Sequence, residues 1–182
     1  MRGGAVDVCA GMGDEAMSAG KSGSHAAAVR NRRELVVERT IDAPRREVFR
    51  AWTDAACLAR WWGPRGFTNP LCEVEAREAG GIRIEMRGPD GTIYPMAGVF
   101  GEIVFPERLV FLSAALNDDG HPLFETENVV TFEECQGRTI LQVFVRLTWW
   151  WPQAPPYLEG MEEGWRQSLE RLDEVLSDAI RS

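Results

Sequence analysis

The chain has 182 residues, 45% of them hydrophobic and 26% charged, the profile of one soluble globular domain with a tail to spare. Its 20 Lys and Arg against 28 Asp and Glu leave a net charge of −8, so the surface repels phosphate backbones and anionic headgroups; no nucleic-acid or membrane partner is expected. The longest apolar run falls far short of the ~20 residues that span a bilayer, and no signal-peptide core opens the chain, so the expected location is the cytoplasm.

Cys9, Cys57, Cys72 and Cys135 lie far apart, and a chain of this size builds a core without staples. No disulfide framework is required, and a reducing compartment fits. With His25 and His121 as the only histidines, local spacing writes no zinc-type ligand set, and no metal is expected.

Residues 1–33 interleave glycines with Ala and Ser and read as a flexible extension, followed by a domain over residues 34–182. Two decoys sit in the extension. Gly11-Met12-Gly13-Asp14-Glu15-Ala16 has the G-x-G-x-x-A spacing of a dinucleotide fingerprint, but the following helix would run into Gly20, Ser22 and Gly23, and no strand–helix–strand unit follows. Gly20-Lys21-Ser22 resembles the end of a Walker A loop, yet that loop needs glycine where this chain has Glu15.

Ordered sequence begins with the β-branched run 34–40, a strand. Asp42, a Pro44 in the first turn, and Val48, Phe49 and Trp52 on one face then describe a short amphipathic helix ending near Thr53-Asp54. A second short helix, about 55–60, leads to Trp61-Trp62-Gly63-Pro64, where Gly-Pro stops it. From Phe67 the period changes to two. Cys72, Val74 and Ala76 alternate with charged neighbours, as do Ile82, Ile84 and Met86 after the Gly80-Gly81 turn, making a half-buried hairpin. Gly88-Pro89-Asp90-Gly91 reverses the chain into a strand over about 93–105; further strands follow at 109–115, 126–133 and 139–147. In residues 157–180, Met161, Trp165, Ser168, Leu169, Leu172, Val175, Leu176 and Ala179 recur at three- and four-residue steps, with the charged residues, Arg171 among them, mostly on the other faces of a long helix.

This order is α+β: a first strand, two short helices, an antiparallel meander of about six more strands and a long C-terminal helix that a curved sheet must wrap to bury both apolar faces. Several of its blocks carry a resemblance: Glu38-Arg39, Asp42-Ala43-Pro44, Ala51-Trp52-Thr53-Asp54, Trp61-Trp62-Gly63-Pro64, Gly66-Phe67, Met86-Arg87-Gly88-Pro89-Asp90-Gly91, Tyr94-Pro95, Pro106-Glu107-Arg108-Leu109 and Gly164-Trp165. In this order they resemble the bacterial proteins similar to the activator of Hsp90 ATPase (the AHSA1 type), in the START/Bet v 1-like (SRPBCC) superfamily, over about residues 34–181. The resemblance implies the helix-grip fold, with a cavity between sheet and helix. The stretch Thr148 to Pro156 departs from the family pattern, which has a polar loop there, and residues 1–33 have no counterpart in it.

A helix-grip cavity would be walled by Phe67, Met86, Tyr94, Met96, Phe100, Phe111, Met161 and Trp165, with Trp61 or Trp62 near one end. Stripes of this kind fill space more often than they grip ligands. Cavity polarity would come from Tyr94, Glu102, Asn128 or Arg146, but bulges leave strand parity open. Neighbours on a strand face opposite sides, so at least one of Trp149, Trp150 and Trp151 is exposed or buried in a contact: a ligand mouth or homodimer surface on one reading, a mini-core beneath the Pro-rich turn on the other. No catalytic constellation is written: Ser113 and Ser168 lack a neighbouring His, His121 reads as a solvated turn residue, and Asp118-Asp119, Glu133-Glu134 and Glu162-Glu163 as solvated pairs.

The expected function is binding of a hydrophobic or aromatic small molecule, without a cofactor. Two alternatives follow from the resemblance: a polyketide-cyclase- or hydrolase-like enzyme using the same cavity, and a co-chaperone that stimulates an ATPase. Against the last, the likeness covers one domain, whereas the eukaryotic activators carry an additional N-terminal domain.

Overall fold

The computed structural model describes residues 34–151 and 160–181. The N-terminal extension with its two decoys, the first residues of the expected long helix and segment 152–159 lie outside the described residues.

Seven antiparallel strands form one curved, open sheet: β1 (Glu34–Ile41), β2 (Thr68–Val74), β3 (Gly81–Arg87), β4 (Ile93–Val104), β5 (Arg108–Leu116), β6 (Pro122–Cys135) and β7 (Arg138–Trp150). Their spatial order is β1-β7-β6-β5-β4-β3-β2, a sequential meander to which the first strand is added beside the last. Between β1 and β2 lie α1 (Arg45–Thr53) and α2 (Ala55–Trp61); α3 (Met161–Arg181) ends the fold. This is the α+β helix-grip architecture.

Each element follows from its residues. Pro44 stands immediately before α1, and its carbonyl receives the amides of Glu47 and Val48. Asp54 ends α1 and, through its side chain, caps α2 at the Cys57 amide (2.8 Å). Along β3, Ile82 and Ile84 are buried while Arg83 and Arg87 are exposed, as a period of two demands. Ala76 breaks the expected pattern: β2 ends at Val74, the chain bends towards Gly80, and Ala76 is exposed.

At 21 residues, α3 is about 31 Å long at ~1.5 Å per residue. Ser168, Leu169, Leu172 and Leu176 form its buried stripe, with Met161, Trp165 and Val175 partly buried beside it. Ala179, expected on that stripe, is exposed. The helix packs against α1, α2 and β1. Arg39 of β1 meets Asp173 at 3.1 Å, and the other oxygen of Asp173 accepts the Asp42 amide.

Candidate functional site

The inward side chains of the middle strands change in size along the hollow. Under α1 and α2 they are large and buried: Phe100 on β4, Leu109 and Phe111 on β5, Val130 and Phe132 on β6. Farther along the same strands they become Gly98, then Ser113 and Ala115, then Asn128 and Thr126, with Gly98 opposite Ser113 and Ser113 opposite Thr126. At Gly98 a Cβ would stand 2.5 Å from the Leu112 carbonyl oxygen, so no side chain is admitted there.

Beside Ser113, Ala115, Thr126 and Asn128 lies a cavity of about 580 Å³ between sheet and helix, within the ~300–1,000 Å³ of small-molecule sites. Met86, Tyr94 and Met96 line it from the sheet and Phe67 from the loop after α2. From the other side come Trp62, Met161 and Trp165. The Trp62 and Trp165 rings meet edge to face at 5.3 Å, and Phe67 lies 5.7 Å from Tyr94.

Three of the expected wall residues sit behind this surface. Trp61 is fully buried, its indole N–H donating to the Ala51 carbonyl at 3.0 Å. Phe100 and Phe111 pack on each other at 6.2 Å in the core. Their strand parity is inward as expected, but they stand at the end of the hollow that α1 and α2 fill.

Of the four polar candidates, Asn128 and Tyr94 line the cavity. The bulge in β4 between Phe100 and Glu102 shifts the alternation, leaving Glu102 exposed and paired with Arg108 at 3.1 Å. Arg146 is exposed and pairs with Glu127. Asn128, only 1% exposed, donates its amide to Ser113 Oγ and Thr126 Oγ1, each at 3.0 Å, and approaches the Phe111 carbonyl oxygen at 3.3 Å. The two hydroxyls are 2.9 Å apart. A linked polar triad thus forms part of a wall that is otherwise mostly apolar. The Ser168 hydroxyl, also on the wall, is spent on the Gly164 carbonyl one turn back at 2.7 Å.

One end of the site is fastened to α3 through backbone. Arg171 donates to the carbonyl oxygens of Arg60, Trp62, Gly63 and Pro64 at 2.8–3.2 Å. Burial and then the neighbouring Arg65 lower the pKa of its guanidinium from the usual value. Asn69 donates from behind to the Ala59 and Trp62 carbonyls. Gly63 makes the turn with φ +88°, a left-handed conformation suited to glycine, and a Cβ there would touch Met86 Sδ at 3.0 Å. On the surface, Arg65 bonds Glu170 and Glu174, while its amide donates to Gln167 at 3.0 Å.

The described residues lining the cavity include no Lys, Arg or His, and their one carboxylate, Asp118, is exposed at the rim. His121 is exposed in the β5–β6 loop. Burial, followed by the charge of Asp54, pushes the Cys72 thiol up to about 11, which keeps it protonated at neutral pH. Among the described residues no cluster of His, Cys, Asp or Glu is placed to hold a metal ion. Trp149, Trp150 and Trp151 are 38–47% exposed, with the rings of Trp149 and Trp151 6.3 Å apart. No helix among the described residues is long and apolar enough to cross a membrane.

Comparison with known structures places the fold. A crystal structure of a protein from Nitrosomonas europaea aligns with a TM-score of 0.71 at 23% identity, covering 84% of this chain and 99% of that one, a likeness of fold alone. A solution structure from Arthrobacter aurescens aligns with a TM-score of 0.72 at 29% identity, covering 80% and 86% of the two chains. The AHSA1 protein of Silicibacter pomeroyi aligns with a TM-score of 0.68 at 25% identity over 79% and 97%. No sequence among curated proteins matches the chain. The family model described as activator of Hsp90 ATPase homolog 1-like protein matches residues 42–177, a span that holds both short helices, the six-stranded meander, the cavity and most of α3; the chain belongs to this AHSA1-type family.

Proposed function

We propose that the protein binds a small apolar molecule bearing one or more rings in the hollow beneath α3. The family and fold support a ligand-binding or co-chaperone-like role, and the cavity favours the first. The observation that carries the reading is the coincidence of two features: small inward side chains at Ser113 and Ala115, and aromatic rings of Trp62 and Trp165 facing the same space. A sheet filled along its whole length would carry larger residues at Ser113 and Ala115. Binding is also favoured over turnover by the groups at hand. Ser113 is bonded to Thr126 and Asn128, and neither can serve as a general base near neutral pH.

The test is occupancy. The neutral fluorescent probe N-phenyl-1-naphthylamine should bind the full chain, and Ala115→Phe, which puts a ring into the space, should weaken binding at least about tenfold while the circular dichroism spectrum stays native. Equal affinity in the variant would place the probe elsewhere and overturn the reading.

A further inference from the structure

The hydrogen-bond inventory of the cavity floor specifies the ligand further. Asn128 is oriented by Phe111: the side-chain atom 3.3 Å from that carbonyl oxygen must be the amide nitrogen, since an oxygen there would face another acceptor. Both amide hydrogens are therefore directed at Phe111, Ser113 and Thr126. Between the Ser113 and Thr126 hydroxyls, 2.9 Å apart, one hydrogen is shared, which leaves the hydrogen of the other hydroxyl. The Asn128 carbonyl oxygen accepts from none of these groups. The triad thus has the Asn128 carbonyl oxygen as an acceptor and one hydroxyl hydrogen as a donor left over, on residues that line a mostly apolar space. Leftover polar groups in such a place favour a partner that satisfies both.

We propose that the ligand is uncharged and carries a hydroxyl group, seated on Asn128 and the Ser113–Thr126 pair, with its rings towards Trp62 and Trp165. This rests on the ligand-binding reading above and specifies its chemistry. A hydroxyl both donates and accepts, matching the two vacancies with one atom. A carboxylate only accepts: it would meet the Asn128 carbonyl oxygen with no cationic side chain among the described lining residues to compensate its burial. An ammonium only donates, leaving the hydroxyl hydrogen unmet, and its charge would be desolvated on a neutral floor. A plain hydrocarbon leaves both vacancies open.

Competition against N-phenyl-1-naphthylamine with naphthalene, 2-naphthol and 2-naphthoate, at neutral pH on the full chain, tests this with one ring system and three polar endings. In the natural sequence 2-naphthol should displace the probe at a concentration about tenfold below that of naphthalene, and 2-naphthoate should be weakest. In Asn128→Leu, close in size but apolar, the advantage of 2-naphthol over naphthalene should fall to about threefold or less while naphthalene holds or gains. Should that variant not fold, the ranking of the three compounds on the natural sequence decides alone. Equal displacement by naphthalene and 2-naphthol, preference for 2-naphthoate, or an advantage that survives in a folded Asn128→Leu would overturn the inference and leave cavity binding standing. Failure of the probe and all three compounds to bind would overturn both.

Discussion

The two ends of the hollow beneath α3 are built from the same strands and differ in what those strands place inward. At one end α1 lays Phe49 and Trp52 against Phe132 and Phe111, and Trp61 of α2 packs on Trp52, so that Trp52 by itself meets Trp61, Phe111 and Phe132 within 6.4 Å. At the other end the strands carry Ser113, Ala115 and Thr126, and the rings stand across an open space. Trp165 belongs to both, stacked on Trp52 at 6.0 Å and lining the cavity. The filled end anchors the fold, and the open end can then forgo packing because the helix above it is already held.

The difference can be broken from either side. Trp52→Ala should have the largest effect, a loss of about 3–5 kcal/mol in denaturant unfolding, since it empties the centre of the ring cluster. Arg171→Ala should come next, costing about 1.5–3 kcal/mol by leaving four carbonyl oxygens without their charged donor. Arg171→Lys should recover only part of this, because an ammonium cannot span the fork, and probe affinity should fall in both variants. Ala115→Phe at the open end should do the reverse, weakening probe binding at least about tenfold while changing unfolding free energy by less than about 1 kcal/mol.

The smallest effect concerns the outer surface. A side-chain hydrogen bond from Arg65 holds the Glu174 carboxyl below its ordinary value of 4.5. A depressed folded value means the pair adds stability above the unfolded pKa and loses it as pH falls through the folded one. Melting temperature followed from pH 7 down to 3 should therefore drop slightly more steeply in the natural chain than in Glu174→Gln, and the difference should vanish in high salt, as for exposed ion pairs.

Much of this was legible in residue order. The three- and four-residue steps of Leu169, Leu172 and Leu176 and the alternation in β3 reflect apolar faces meeting one core, so periodicity alone located α3 and most strands. What periodicity could not resolve was place along a strand. Phe100 and Phe111 have the same parity as Met96 and Ser113, and only the positions of α1 and α2 decide which of them meet the cavity. Glu102 was lost to a bulge that alternation does not announce. Asn128 was visible as a polar residue in an apolar run, but its partners Ser113 and Thr126 come from β5–β6 register. Arg171 resembled any solvated arginine on a helix face, because what it binds is main chain, which leaves no complementary residue to find.

That last feature bears on how such a site could change. Arg171 holds carbonyl oxygens, which every amino acid possesses, so this tie does not depend on which side chains stand at positions 60, 62 and 64. An exchange at Trp62 would cost its ring contacts with Trp52, Trp61, Phe111 and Trp165, but the bond from Arg171 to its carbonyl would not depend on the side chain. The side chains that shape this end of the pocket can thus change without removing the main-chain tie to the helix.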